Sequence, residues 1–178
     1  MFDTANIKQA FETFGKEVIQ NARANLTRKD KNVSKELYNG MEYNYEGYKG
    51  GFRFTISMPE YGIYQDEGVK GTKSSAKAPK SQFRFGTGKG KSGGLTKGIS
   101  QWVRRRRFQF RKPNGQFMSY ESTAFLITSS IWNKGIPTTN WFTNAFENKY
   151  KRLQPKLEDA FKLDAERFLN FVKKEVFA

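Results

Sequence analysis

Cysteine and histidine are both absent from the 178 residues. Without cysteine there are no disulfides, no thiol nucleophile and none of the common zinc sites. Without histidine the usual side chain for acid–base chemistry near neutral pH is missing. The sequence therefore carries no catalytic, metal-binding or cofactor-binding constellation of the familiar kinds, and it is read as that of a non-enzyme with no cofactor. Long apolar runs are lacking too. No stretch approaches the roughly 18 apolar residues of a membrane span, and no signal-peptide core is present. The chain is expected to be soluble, to have no membrane partner and to assemble in the cytoplasm. Apolar residues make up only 37% of the sequence, below the share usual for a globular domain. A modest core rich in aromatic residues follows, because 17 Phe, 8 Tyr and 3 Trp bring large buried area per side chain.

A further absence is local. Between Val69 and Tyr120 there is no Asp or Glu, while the same window holds 14 of the 32 Lys and Arg residues. Outside it, 18 basic residues face all 17 acidic ones, so nearly the whole excess of +15 lies in one segment. Such a block repels itself and calls for a polyanion, an acidic partner or water. The candidate contact residues are Lys89, Lys91, Lys97, Arg104, Arg105, Arg106, Arg107, Arg111 and Lys112. Four consecutive arginines on a helix point all around it, which suits backbone phosphates or the carboxylates of a neighbouring subunit better than base reading.

Hydrophobic spacing places the elements. Ile7, Phe11, Phe14, Val18, Ala22 and Leu26 predict a helix over 4–27, with Asp3 or Thr4 as its cap. A polar connection covers 28–40. Alternation of Met41, Tyr43 and Tyr45, then of Phe52, Phe54, Ile56 and Met58, predicts a hairpin over 41–58 turning at Lys49-Gly50-Gly51, one face of which covers the first helix. A short helical turn ending at Gly68 follows. The Gly-, Ser- and Lys-rich stretch 69–98 has few apolar anchors and reads as a long basic excursion, removable over 73–92 without loss of the fold. Within it, Gly86-Thr-Gly-Lys-Gly90-Lys91-Ser92 has the wrong glycine spacing for a phosphate loop, since Phe85 stands where the first glycine belongs. Asp66 and Glu67 are adjacent acids with no further acid until Glu121, a poor basis for a metal-dependent nuclease.

Further helices are predicted over 96–108 and 120–134. Ser119 caps the second, Phe125, Ile127, Ile131 and Trp132 pack it, and Gly135 and Pro137 end it. Another begins at Trp141. A last one carries Leu157, Phe161, Phe168, Leu169 and Val172 as its apolar face. Lys112-Pro-Asn-Gly115 marks a turn between short extended pieces. The fold class is α+β: an antiparallel hairpin packed against a long N-terminal helix and C-terminal helices, with a long basic loop, in a single domain spanning 1–178.

Three features in order resemble the tail-completion (head–tail joining, or neck) family of tailed bacteriophages. They are the N-terminal amphipathic helix with its linker and hairpin, the element Tyr61-Gly-Ile-Tyr64-Gln-Asp-Glu67-Gly68, and the late segment Ile127–Ile131 with Gly135-Ile-Pro137 and Trp141-Phe142-Thr-Asn-Ala145-Phe146. In this chain Val69-Lys70 stand between the glutamate element and Gly71-Thr72. The resemblance implies a structural virion protein that forms a six- or twelvefold homo-oligomeric ring. Such a ring joins portal or head-completion proteins to the tail and surrounds packaged double-stranded DNA, and no catalytic residues come with it. The alternative is a stand-alone, sequence-nonspecific nucleic-acid-binding accessory protein, separable from a ring subunit by oligomeric state and by steep salt dependence of DNA binding.

Overall fold

A helix with one apolar stripe needs a partner surface, and a two-stranded hairpin is marginal in water until something covers a face of it. The computed structural model, which describes residues 4–31, 34–48, 51–88 and 93–176, shows how both needs are met. The described elements are α1 (Ala5–Arg28), α2 (Glu36–Asn39), β1 (Glu42–Tyr48), β2 (Gly51–Ser57), α3 (Tyr61–Glu67), α4 (Gly94–Arg105), α5 (Tyr120–Lys134), α6 (Thr143–Tyr150) and α7 (Leu153–Val176). The fold is α+β: helices with one two-stranded antiparallel sheet. No helix among the described residues is long and apolar enough to cross a membrane. The chain divides into two compact units, one of Met1–Lys29, Glu36–Pro59 and Trp141–Ala178, the other of Asp30–Lys35 and Glu60–Asn140.

In the first unit α1 is the centre. Ile7, Phe11, Phe14, Val18, Ala22 and Leu26 are buried along it, with Ile19 beside them, as their spacing requires. The hairpin pairs Tyr43 with Ile56, Tyr45 with Phe54 and Gly47 with Phe52. Period-two alternation therefore collects the rings on one face. That face lies on α1, with ring centroids 5.3 Å apart for Phe11–Phe54, 5.9 Å for Phe11–Tyr45 and 5.8 Å for Phe14–Phe54. Gly15 makes the approach possible. A Cβ there would stand 2.7 Å from both Phe54 and Tyr43, so the helix gives up propensity for packing. Asp3 and the turn residues Lys49 and Gly50 lie outside the described residues. Thr4 occupies the cap position but makes no side-chain cap bond.

α1 also receives α6 and α7, and Phe14 meets both Phe54 of the hairpin and Phe146 of α6. Here the observed packing departs from the expected one. Leu153, Ala160 and Asp164 are buried, with Leu157 half-buried between them, whereas Phe161, Phe168 and Leu169 are exposed. The reason is the anchor of α7. Asp164 is fully buried and its carboxyl accepts from the backbone N–H of Asn6 (3.1 Å), the side-chain amide of Asn6 (2.6 Å) and the N–H of Ile7 (3.1 Å). It supplies from α7 the cap that Thr4 does not supply to α1. That fixes the face of α7 that turns inward. Asp164 is also the last buried residue of α7 among the described side chains.

Glu17 of α1 holds the same two helices by charge, 3.0 Å from Lys149 of α6 and 3.4 Å from Lys156 of α7. The bond from Lys149, aided by Lys156, holds the Glu17 carboxyl below its ordinary value near 4.5. A lowered folded value means that the group stabilises fully above the ordinary carboxylate range and that this stability is lost as pH falls through the lowered value. The Glu17 side chain is 32% exposed, so solvent screening limits the effect to about 0.5–1 kcal/mol. In urea titrations Glu17→Gln is expected to lower stability by that amount at pH 7, and the deficit is expected to shrink as pH falls below the ordinary carboxylate range. A deficit that does not change with pH would exclude the ionic contribution.

The second unit overturns one expectation. Residues 69–86 do not form an excursion. Val69 and Ile136 exchange backbone hydrogen bonds at 3.0 and 2.8 Å, and Lys70 does the same with Phe83 and Phe85 at 2.9 Å each. Thr72 and Lys73 donate to the carbonyls of Trp132 and Asn133. Ala78 and Ser81 are buried, and the Ser81 hydroxyl donates to the Gly68 carbonyl at 2.7 Å. Phe83 stacks edge-on against Tyr64, and Phe85 lies 5.5 Å from Trp132. The described part of the 73–92 stretch is thus tied into the unit by these bonds and contacts, while Lys73, Lys77, Lys80 and Arg84 remain exposed, so deleting it is expected to cost stability and not to leave the fold intact. The packing of α5 also differs from expectation. Thr123 and Ala124 are its buried residues, while Phe125 is 67% exposed and Trp132 is exposed as well.

Candidate nucleic-acid or partner interface

The second unit collects 17 basic residues against 5 acidic ones, and the first 15 against 12. The charge separation read along the chain is therefore also a separation between folded units. Of the nine expected contact residues, Lys89 and Lys91 lie outside the described residues. Lys97, Arg104, Arg105, Arg106, Arg107, Arg111 and Lys112 are all exposed, on α4 and on the ribbon that follows it.

The arginine run does not continue the helix to 108 as expected. It ends α4. Arg104 and Arg105 form the last turn, Arg106 is the C-cap, and Arg107 takes a left-handed conformation with φ of 50°. The N–H of Arg107 bonds the Arg104 carbonyl (3.1 Å) and that of Phe108 bonds the Val103 carbonyl (2.9 Å). This is the reciprocal pair of a Schellman ending, with Phe108 folded back to 5.9 Å from the ring of Trp102. Cations at this end also favour the helix dipole. A left-handed residue with a Cβ is strained. Arg107→Gly is accordingly expected to raise the stability of this unit by about 0.5–1 kcal/mol in chemical denaturation, and Arg107→Ala to give no such gain. If the two variants behave alike, the strain is absent.

Arg104 and Arg106 are engaged within the unit. Arg104 bonds Glu121 and lies over the Tyr120 ring, 5.8 Å to its centroid. Arg106 meets Asp30 at 2.6 Å. The Glu121 carboxyl is held below its ordinary range by its own backbone N–H and then by the charge of Arg104. Ser119 caps α5 as expected, its hydroxyl accepting from the Ser122 N–H at 3.0 Å. Arg111 and Phe117 pair across the ribbon, with the guanidinium 4.5 Å above the ring. Met118 donates to the Phe110 carbonyl, Lys112 to that of Gln116, and Gly115 turns the tip with φ of 81°.

Sequence reasoning found these cations and the alternation of Phe108 and Phe110 towards a hairpin with Phe117, but not that the rings stay exposed among the cations. Phe108, Phe110 and Phe117 are 40%, 37% and 59% exposed. Their alternation is the signal of a strand with one covered face, and here the strand is a short ribbon with little to cover it. Asp66 is buried and its carbonyl accepts from the Thr139 and Asn140 N–H groups, while Glu67 is met by Gln82 at 3.4 Å. No group of three or more His, Cys, Asp or Glu able to hold a metal gathers among the described residues. In comparisons with known proteins, no family model, no curated protein and no solved structure matches this chain.

Proposed function

We propose that this chain is a structural virion protein of the phage neck, a subunit that packs with copies of itself into a ring joining portal or head-completion proteins to the tail around the DNA channel. The observation that carries the reading is the concentration of cations, exposed wherever the candidate contact residues are described, on one of two units. In a closed ring every copy repeats that patch, and attraction to phosphate without base reading lets DNA pass without being held in one register. The first unit, with charges nearly balanced and large aromatic contacts, serves as the scaffold. The reading assigns no catalytic residue, no cofactor and no membrane contact, and it places the mature protein in the virion.

The test combines folding with assembly. Replacing Arg105 and Arg107 by Gln is expected to leave the thermal melt within about 1 kcal/mol of the parent, since both are exposed. The same change is expected to lower the yield of complete particles at least tenfold when the variant replaces the parent protein during infection. Normal particle yield from the folded variant would overturn the reading. A second reading, a stand-alone nucleic-acid-binding accessory, is favoured by the exposed rings beside the arginines. It requires a monomer or dimer that binds DNA with steep salt dependence and forms no ring by light scattering or electron microscopy.

A further inference from the structure

Charge alone does not account for the ribbon that follows α4. Backbone phosphates of a duplex are met by Arg and Lys and give no use to exposed phenyl rings. Yet the ribbon carries Phe108, Phe110 and Phe117 between Arg107, Arg111 and Lys112. The rings form a connected series, with Phe108 5.9 Å from Trp102 and 5.3 Å from Phe110, so each is held by a neighbour while part of it stays open to solvent. Arg111 over Phe117 shows that a planar cation already uses one of these faces. Held rings flanked by cations on one short ribbon are what an unpaired polynucleotide needs: ring faces for its bases and positive charge for its phosphates.

We infer that the ribbon 107–117 binds single-stranded nucleic acid, its phosphates meeting Arg107, Arg111 and Lys112 and its bases stacking on Phe108 and Phe110. The inference rests on the reading of the basic unit as a nucleic-acid-facing surface and gives this ribbon a single-stranded ligand, distinct from the duplex that the other exposed cations of the unit would meet in the ring. A duplex buries its base faces in its own stack and offers the rings nothing. An acidic protein segment would satisfy the cations and leave the rings idle.

The full-length chain is titrated by fluorescence anisotropy against a labelled oligothymidylate of about 16 nucleotides, a typical site size, and against a duplex of equal length. The single strand is expected to bind at least tenfold more tightly. Phe108→Ala with Phe110→Ala should weaken single-strand binding about tenfold or more and leave duplex binding unchanged. Phe108→Tyr with Phe110→Tyr should retain single-strand affinity, which separates lost stacking from lost folding. Arg107→Gln with Lys112→Gln should reduce the slope of log affinity against log salt by about 1.4. Equal affinity for both oligonucleotides, or a single-strand affinity indifferent to the phenylalanines, would overturn the inference while leaving the phosphate contact intact. Binding of neither oligonucleotide would overturn both, and the ring would then be judged by assembly alone.

Discussion

Gly71→Ala is expected to abolish cooperative folding of the second unit. A Cβ at Gly71 would stand 2.1 Å from the Asn133 carbonyl oxygen, 2.5 Å from its carbon and 2.6 Å from the Gly135 nitrogen. All three are backbone atoms, and none can rotate away as a side chain can. They belong to the crossing that ties 69–73 to the end of α5, where Val69 pairs with Ile136 and the Thr72 and Lys73 N–H groups reach the Trp132 and Asn133 carbonyls. Relieving the clash means parting the strands and leaving those groups unpaired, at about 1–3 kcal/mol for each that stays buried. The total exceeds about 4 kcal/mol, which for a single substitution is exceptional. Gly135→Ala should be comparably severe, because its Cβ would meet the Val69 carbonyl oxygen at 2.2 Å and its φ is 85°. Gly98→Ala is the control. It lies in α4 with nothing within 4 Å of its Cβ, and alanine there should add about 0.5–1 kcal/mol. Hydrogen exchange resolved by peptide would follow the 60–140 amides directly. A folded, cooperatively melting Gly71→Ala protein would show that the crossing is not as close as described.

Asp164→Ala should cost the first unit about 2–4 kcal/mol, most of it from N–H groups of α1 left without an acceptor in a buried place. Asp164→Asn keeps one acceptor oxygen and should recover part of the loss. Asp164→Leu fills the volume but offers no acceptor and should not. Guanidinium denaturation of the three variants ranks them directly. If leucine equalled or surpassed asparagine, packing and not capping would be what Asp164 supplies. The residue sits among the charged positions of an amphipathic helix, where its sequence neighbours Lys162 and Glu166 are exposed. Its burial is what turns Leu153, Leu157 and Ala160 inward and leaves Leu169 and Phe171 outside.

Local spacing determined the elements themselves. The stripe of α1, the alternation of the hairpin, the cap at Ser119 and the glycine stops at Gly68 and Gly135 are properties of a few consecutive residues, and all could be read before any coordinates. The concentration of positive charge was equally legible, because it is a count along the chain. In α5 and α7 tertiary structure decided which apolar residues are core. In α7 and α5 more apolar positions exist than one partner surface can cover, so the choice fell to distant residues: Asn6 and Ile7 for Asp164, and the 69–86 backbone for the end of α5. The same holds for that basic stretch. Glycine, serine and lysine signal a loop locally, but long-range backbone pairing made it part of the fold. A chain's own order carries no mark of such pairings, since their partners lie from a dozen to more than a hundred residues away.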